Sequence, residues 1–254
     1  MKKVLFTLAL ASLAALPVQA VIIPLIGTVT EKATGSYQPA GAPYEDVQTG
    51  AITDGFNQTA QGSLRSGQNH VESKASQTIS VTDGGFSINA SASASALTIF
   101  ETNSSGSAGA WTKLDGTFHL DAATTVTLAL SVSTLFDVVW PETPLNQYLT
   151  FALDALDGGF SLDMTDLRYP PYSAGYMPTT KSSNVNATYT TTLGPGDYYL
   201  AYGVSAGGVN GFQGNRMSSN LAVSFSPVPD AGSLVPALAA ALGIVGVMAR
   251  RMRR

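Results

Sequence analysis

Four aspartates make the densest grouping of reactive side chains in this chain. Asp154, Asp157, Asp163 and Asp166 fall within one short stretch, ALDALDGGFSLDMTD. Two carboxyls roughly 5 to 9 Å apart across a sugar-sized cleft would suit glycoside hydrolysis. Several carboxylate oxygens from one loop would instead suit a hard cation such as Ca²⁺. The stretch lacks the spacing of an EF-hand, however, and Asp157-Gly158-Gly159 is also a common hairpin turn. Solvated turn and edge aspartates are therefore the expected reading, with no metal assigned.

Nucleophilic catalysis has less to draw on. The sequence holds no cysteine and two histidines, His70 and His119. Thiol catalysis, disulfides, thiolate zinc sites and three-histidine metal sites are all excluded. His70 falls in a polar segment expected to be a loop. His119 alternates with Phe118 and Leu120, so it is expected to point away from them into solvent. No Gly-x-Ser-x-Gly is present and no catalytic triad is assigned. No cofactor is implied.

Sugar recognition is the other chemistry the residue types allow. Sandwich modules stack sugars on exposed aromatic rings beside amide and carboxylate hydrogen-bonding groups. Trp111, Trp140, Tyr169, Tyr172 and Tyr176 are the available rings. Trp111 lies in a strand pattern and reads as core. The proline-rich segment from Tyr169 to Pro178 reads as an exposed loop, which makes its three tyrosines the stronger glycan contacts. Four Asn-x-Ser/Thr sequons occur, at Asn57, Asn89, Asn103 and Asn186.

The elements that would position these residues lie between two ends of a different character. The N-terminus opens on Met1-Lys2-Lys3, continues without charge from Val4 to Leu16, and closes on Pro17-Val18-Gln19-Ala20. A basic start, an apolar run and small residues at the −3 and −1 positions mark a secretory signal peptide over residues 1–20. Cleavage is expected between Ala20 and Val21. At the other end, Val228, Pro229, Asp230, Ala231, Gly232 and Ser233 lead into an uncharged run that opens at Leu234 and closes at Ala249. Arg250, Arg251, Arg253 and Arg254 follow at once. A single transmembrane helix is expected over residues 234–249, with thinning of the bilayer and snorkelling arginines closing the gap to the usual ~20 residues. The arginines place its end on the cytoplasmic side.

The order of short motif, apolar run and basic cluster resembles a PEP-CTERM sorting signal, and in detail the VPDSG-CTERM variant. The resemblance covers residues 228–254. It departs from the variant at Ala231, where a serine is usual, and at Leu234, where a threonine often stands. The resemblance implies a partner, an exosortase-like membrane-embedded transpeptidase that cuts near the motif. It also implies export through the Sec route, a stay in the inner membrane before processing, and delivery to the surface or extracellular matrix of a Gram-negative-type bacterium. Such tails often accompany exopolysaccharide production, which makes extracellular polysaccharide a second expected partner.

Residues 21–227 read as one all-β domain, an antiparallel sandwich of jelly-roll type. Short alternating runs bounded by Gly, Asn, Asp and Ser replace helical periodicity. Strands are expected over residues 77–82, 86–100, 111–120, 125–133, 148–154, 160–164 and 220–226. A hairpin is expected over 186–205, turning at Gly194-Pro195-Gly196. Residues 21–85 read as edge strands and long loops. In residues 91–96 serines alternate with alanines, small residues that can pack between close-set sheets.

Charge agrees with a body between two membrane addresses. The whole chain carries 13 basic and 17 acidic residues, a formal charge of -4, with mean hydropathy +0.15. Six of the basic residues lie in the two ends, so residues 21–230 keep seven against 17, about -10. That balance and a pI near 5.0 argue against nucleic acid as a partner. Three readings follow. The first is a non-catalytic surface or matrix protein sorted by its tail. The second is a carbohydrate-binding module. The third is an extracellular hydrolase acting through Asp154 or Asp163.

Overall fold

In the computed structural model, the described residues are 24–38, 41–82, 84–98, 105–138, 145–163, 179–210 and 212–228. They form twelve strands: β1 (Ile26–Gln38), β2 (Tyr44–Ala51), β3 (Asn57–Ser66), β4 (Asn69–Thr82), β5 (Gly85–Leu97), β6 (Ser105–Leu120), β7 (Thr124–Val138), β8 (Leu145–Ala155), β9 (Ser161–Asp163), β10 (Thr179–Leu193), β11 (Gly196–Val209) and β12 (Phe212–Pro227). Two six-stranded sheets result. The front sheet runs β2-β1-β6-β11-β8-β9 and the back sheet β10-β7-β12-β5-β4-β3. Every pairing is antiparallel. The described residues are thus an all-β sandwich, and none of their elements is a helix long and apolar enough to cross a membrane.

Period-two alternation builds the core, because successive side chains of a strand point to opposite faces. Val126, Leu128, Leu130 and Val132 of β7 in the back sheet and Leu149, Phe151 and Leu153 of β8 in the front sheet are all buried in one core. Phe118 stacks on Tyr198 at 5.4 Å within the front sheet and meets Phe225 of the back sheet edge-on at 5.4 Å. Such ring pairs add to the burial itself. On β5, Ala90, Ala92, Ala94 and Ala96 are buried while Ser91 and Ser93 face outward. The small inward methyls belong to two apolar clusters, a large one and a smaller one around Tyr37, Val71 and Phe212.

Three expectations change. Residues 186–205 do not form a hairpin. β10 pairs with β7 in the back sheet, whereas β11 pairs with β6 and β8 in the front sheet. The Gly194-Pro195 connection therefore carries the chain across the sandwich, capped by the Tyr198 hydroxyl donating to the Gly194 carbonyl at 2.9 Å. Turn chemistry is the same for both outcomes, and β11 finds better partners elsewhere. Residues 21–85 are also more regular than expected. They supply β1 to β4: β2 and β3 are edge strands as expected, whereas β1 and β4 are each flanked on both sides by another strand in place of long loops. Inward-facing Glu31 and Ser73 interrupt the apolar alternation of β1 and of the first half of β4 and hide it. Finally, His70 lies in β4 rather than a loop, with Nε2 2.9 Å from the Ser95 hydroxyl.

Candidate functional site

The aspartate stretch becomes β8, a turn and β9. Asp157 sits in the turn, where its carboxylate accepts the Gly159 amide at 2.9 Å and Gly158 takes a positive φ of 79°. Asp154 and Asp163 share the outer face of the front sheet, on diagonal positions, since Asp154 lies opposite Ser161 and Asp163 opposite Ala152. Asp154 also lies beside Tyr199. The Tyr199 hydroxyl donates to the Asp115 carboxylate, which takes the Lys113 ammonium at 2.8 Å. Burial, then that hydrogen bond and the charges of Asp115 and Asp154, push the Tyr199 phenol up to about 12. Among the described residues no three His, Asp or Glu side chains group as metal ligands would. Asp166 lies outside the described residues.

His119 faces solvent on β6, while Phe118 and Leu120 are buried. Its Nδ1 is 2.7 Å from Asp197 and its Nε2 3.4 Å from Asp121. Trp111 is half-buried on the outer face of the front sheet, in one row with Lys32, Ser205 and Tyr148. It is not core. Trp140, Tyr169, Tyr172 and Tyr176 lie outside the described residues, as do Ala20, Val21, Leu234, Ala249 and the tail arginines. Of the sorting motif, Val228 is described. It is exposed, and its amide donates to the Ala123 carbonyl at 3.1 Å.

The back sheet carries a surface that no single stretch of sequence announces. One row across it reads Thr59, Ser76, Ser91, Ser218, Ser133, Asn184, one residue from each of the six strands. The next row reads Asn57, Thr78, Asn89, Asn220, Ser131, Asn186. Every side chain in both rows is a hydroxyl or an amide, and neither row holds an ionisable group. The sequon asparagines Asn57, Asn89 and Asn186 share the second row; Asn103 lies outside the described residues. Ser76 and Ser91 share a 2.8 Å hydrogen bond, and Asn220 donates to Asn89 at 2.6 Å. A hollow of about 320 Å³ lies over these rows.

A second hollow, of about 620 Å³, adjoins it along the strands. Its floor is the row Gln61, Lys74, Ser93, Arg216, Leu135. Beneath its rim, the Tyr44 ring occupies the space beside Gly62, where an added Cβ would lie 2.2 Å from the ring. The Tyr44 hydroxyl bonds Ser73 at 2.9 Å, and Ser73 donates to the Thr34 carbonyl at 3.0 Å. Burial pushes the Tyr44 phenol above its ordinary range. On the other side, Asn215 and Gln147 pin the strand that carries Arg216. The Asn215 amide donates to the Gly207 and Asn146 carbonyls at 2.7 and 3.1 Å, and Gln147 donates to the Arg216 carbonyl at 2.9 Å. These buried donors fix the backbone under the exposed side chains, although the Gln147 side-chain oxygen itself has no hydrogen-bond partner.

No known protein family and no curated protein matches this sequence. Among solved structures, the chain is similar to one titled "Structure of infectious bursal disease virus Gx strain", at 9% identity and a TM-score of 0.20. That match covers 85% of this chain and 64% of the viral one. A GH31 alpha-xylosidase from Xanthomonas citri matches at 10% identity and a TM-score of 0.14, over 77% of this chain and 28% of the enzyme. The chain thus spans less than two thirds of the length of either structure. Similarity at this level carries no functional argument.

Proposed function

We propose that this chain is an exported β-sandwich of structural or interaction type, delivered by its C-terminal tail to an exosortase-like transpeptidase and carried to the cell surface or extracellular matrix. The observation that supports the reading is where the sandwich ends. β12 is an internal strand of the back sheet, paired through Pro227 with Thr124, and the next residue is Val228 of the motif. No linker separates the folded body from the sorting signal, and Pro229, which has no amide hydrogen, cannot continue the ladder beyond Val228. The motif would therefore reach a membrane-embedded transpeptidase directly beside the sandwich. The intact mass of the protein recovered from the cell surface or medium tests the reading. A mass that begins at Val21 and lacks residues 250–254 is expected. Retention of Met1 or of the arginine tail overturns it.

A carbohydrate-binding role is the second reading, favoured by the two adjoining hollows on the back sheet. The hydroxyls and amides among their lining residues are chemistry that polyols share. Their volumes, about 620 and 320 Å³, lie in the range of ligand sites.

A further inference from the structure

We propose that the outer face of the back sheet binds an acidic polysaccharide, with Lys74 and Arg216 receiving a sugar carboxylate or sulfate and the hydroxyl and amide rows receiving the neutral parts of the chain. The inference rests on the carbohydrate-binding reading and adds to it the charge of the ligand and the residues that select it.

Among described residues with described side chains, Lys32 pairs with Glu45, Arg65 with Glu72, and Lys113 with Asp115. Lys74 and Arg216 have no carboxylate partner, and both are exposed. They line the same hollow. Both lie opposite Ser93, one on each side, so their Cα atoms are two strand spacings apart, about 10 Å. The one carboxylate lining that hollow, Glu72, is taken by Arg65. A body of about -10 thus keeps two unneutralised cations facing each other across one serine hydroxyl.

The rest of the surface narrows the ligand class. From the cationic row the hollow continues along the strands into two rows without any charge. A polyanion with a charge on every short repeat, such as an acidic peptide or nucleic acid, would leave most of its charges over uncharged serines and asparagines. A chain that carries an anion on one unit and hydroxyls on the others matches the surface row by row. Hydroxyls and amides both donate and accept, which suits sugar hydroxyls. Arg216 offers the bidentate geometry that carboxylates and sulfates accept, and Lys74 a point charge beside it.

Affinity electrophoresis of the full-length protein in mild detergent tests the proposal, with hyaluronan, in which an acidic sugar alternates with a neutral one, neutral dextran and polyglutamate as probes. Hyaluronan is expected to retard the protein most, and less so as salt is raised. The double variant Lys74→Gln/Arg216→Gln should lose at least tenfold in hyaluronan affinity. Ser218→Tyr, which fills the uncharged hollow without altering charge, should weaken binding as well; both variants are exposed-face changes checked by an unaltered thermal transition. Equal retention of dextran and hyaluronan, unaffected by the charge variant, overturns this inference and leaves the carbohydrate reading standing. Retention of polyglutamate as strong as that of hyaluronan overturns the choice of a sugar ligand. No retention by any probe overturns both readings.

Discussion

The side-chain amide of Gln147 donates to the backbone carbonyl of Arg216 at 2.9 Å, so a front-sheet residue holds the strand that presents one of the two cations lining the larger hollow. The same amide reaches the Leu135 carbonyl at 3.2 Å and the Asn215 side chain, inside a register shift of β12. Gln147→Leu removes the shared donor and strands these acceptors in a dry site. Each buried acceptor left unmade costs about 1–3 kcal/mol. A total loss of about 2–3 kcal/mol is expected, which lowers the transition by roughly 5–10 °C for a domain of this size. Scanning calorimetry checks it, and an unchanged transition would show that the amide clip does not hold the sheets together.

Glu31 gives the sandwich a pH dependence of unusual sign. Its side chain is fully buried between the sheets and neither carboxyl oxygen has a hydrogen-bond partner. Burial pushes its pKa up to about 7. Well below pH 4.5 the group is neutral in folded and unfolded chains alike, and ionisation adds no cost. As pH rises from there to about 7, the unfolded chain releases the proton and the folded chain holds it, so stability falls. The full loss, on the order of 3 kcal/mol, is reached well above pH 7. Glu31→Gln should therefore be the more stable protein at pH 8 and equal to the wild type at pH 4, as measured by urea unfolding at both values. A variant less stable at pH 8 would mean that the carboxylate is compensated in the fold.

His119 behaves in the opposite sense. The hydrogen bond to Asp197 raises its pKa first, with the Asp197 and Asp121 charges adding to the effect. The charged form is the favoured one, so any stabilisation is present below the unfolded pKa and is lost as pH rises through the folded one. Titration of the imidazole by NMR should show a pKa above that of a free histidine. Asp197→Asn should bring it down, because it removes the charge and the strong acceptor together. Persistence of the raised value in that variant would assign it to Asp121 instead.

The parts of the fold legible in sequence are those where inward positions are uniformly apolar. β7 and β12 show it, with Val126, Leu128 and Leu130 on one and Leu221, Val223 and Phe225 on the other. β1 and the first half of β4 are concealed because Glu31 and Ser73 stand at inward positions and break the alternation. The Gly194-Pro195-Gly196 turn announced a reversal but not its destination, since the choice of partner for β11 depends on β6 and β8, each tens of residues away. The same non-locality hides the candidate surface. Ser91 and Ser93 advertise a polar face of one strand, but Lys74, Ser93 and Arg216 become neighbours through pairings that span most of the chain. No local motif could have joined them, nor aligned Asn57, Asn89 and Asn186 in one row.

Close backbone approach at Gly203 supplies a last prediction. Gly203 lies in β11, between β6 and β8, and a Cβ added there would fall 2.1 Å from the Thr112 carbonyl oxygen. That contact is with backbone, which cannot rotate away as a side chain would. Glycine inside a strand marks such an approach. Gly203→Ala must push β6 from β11 at the row that carries Lys113, next to Trp111. Overpacking of this kind costs about 1–3 kcal/mol, and more where backbone must move. Gly194→Ala is the paired control: nothing lies within 4 Å of its added Cβ. It should stay within about 0.5 kcal/mol of the wild type, as exposed substitutions without a special contact do. Chemical unfolding of the two variants side by side checks the difference. Equal stability would mean that the two strands separate at Gly203 without cost, and that the spacing of the front sheet is set elsewhere.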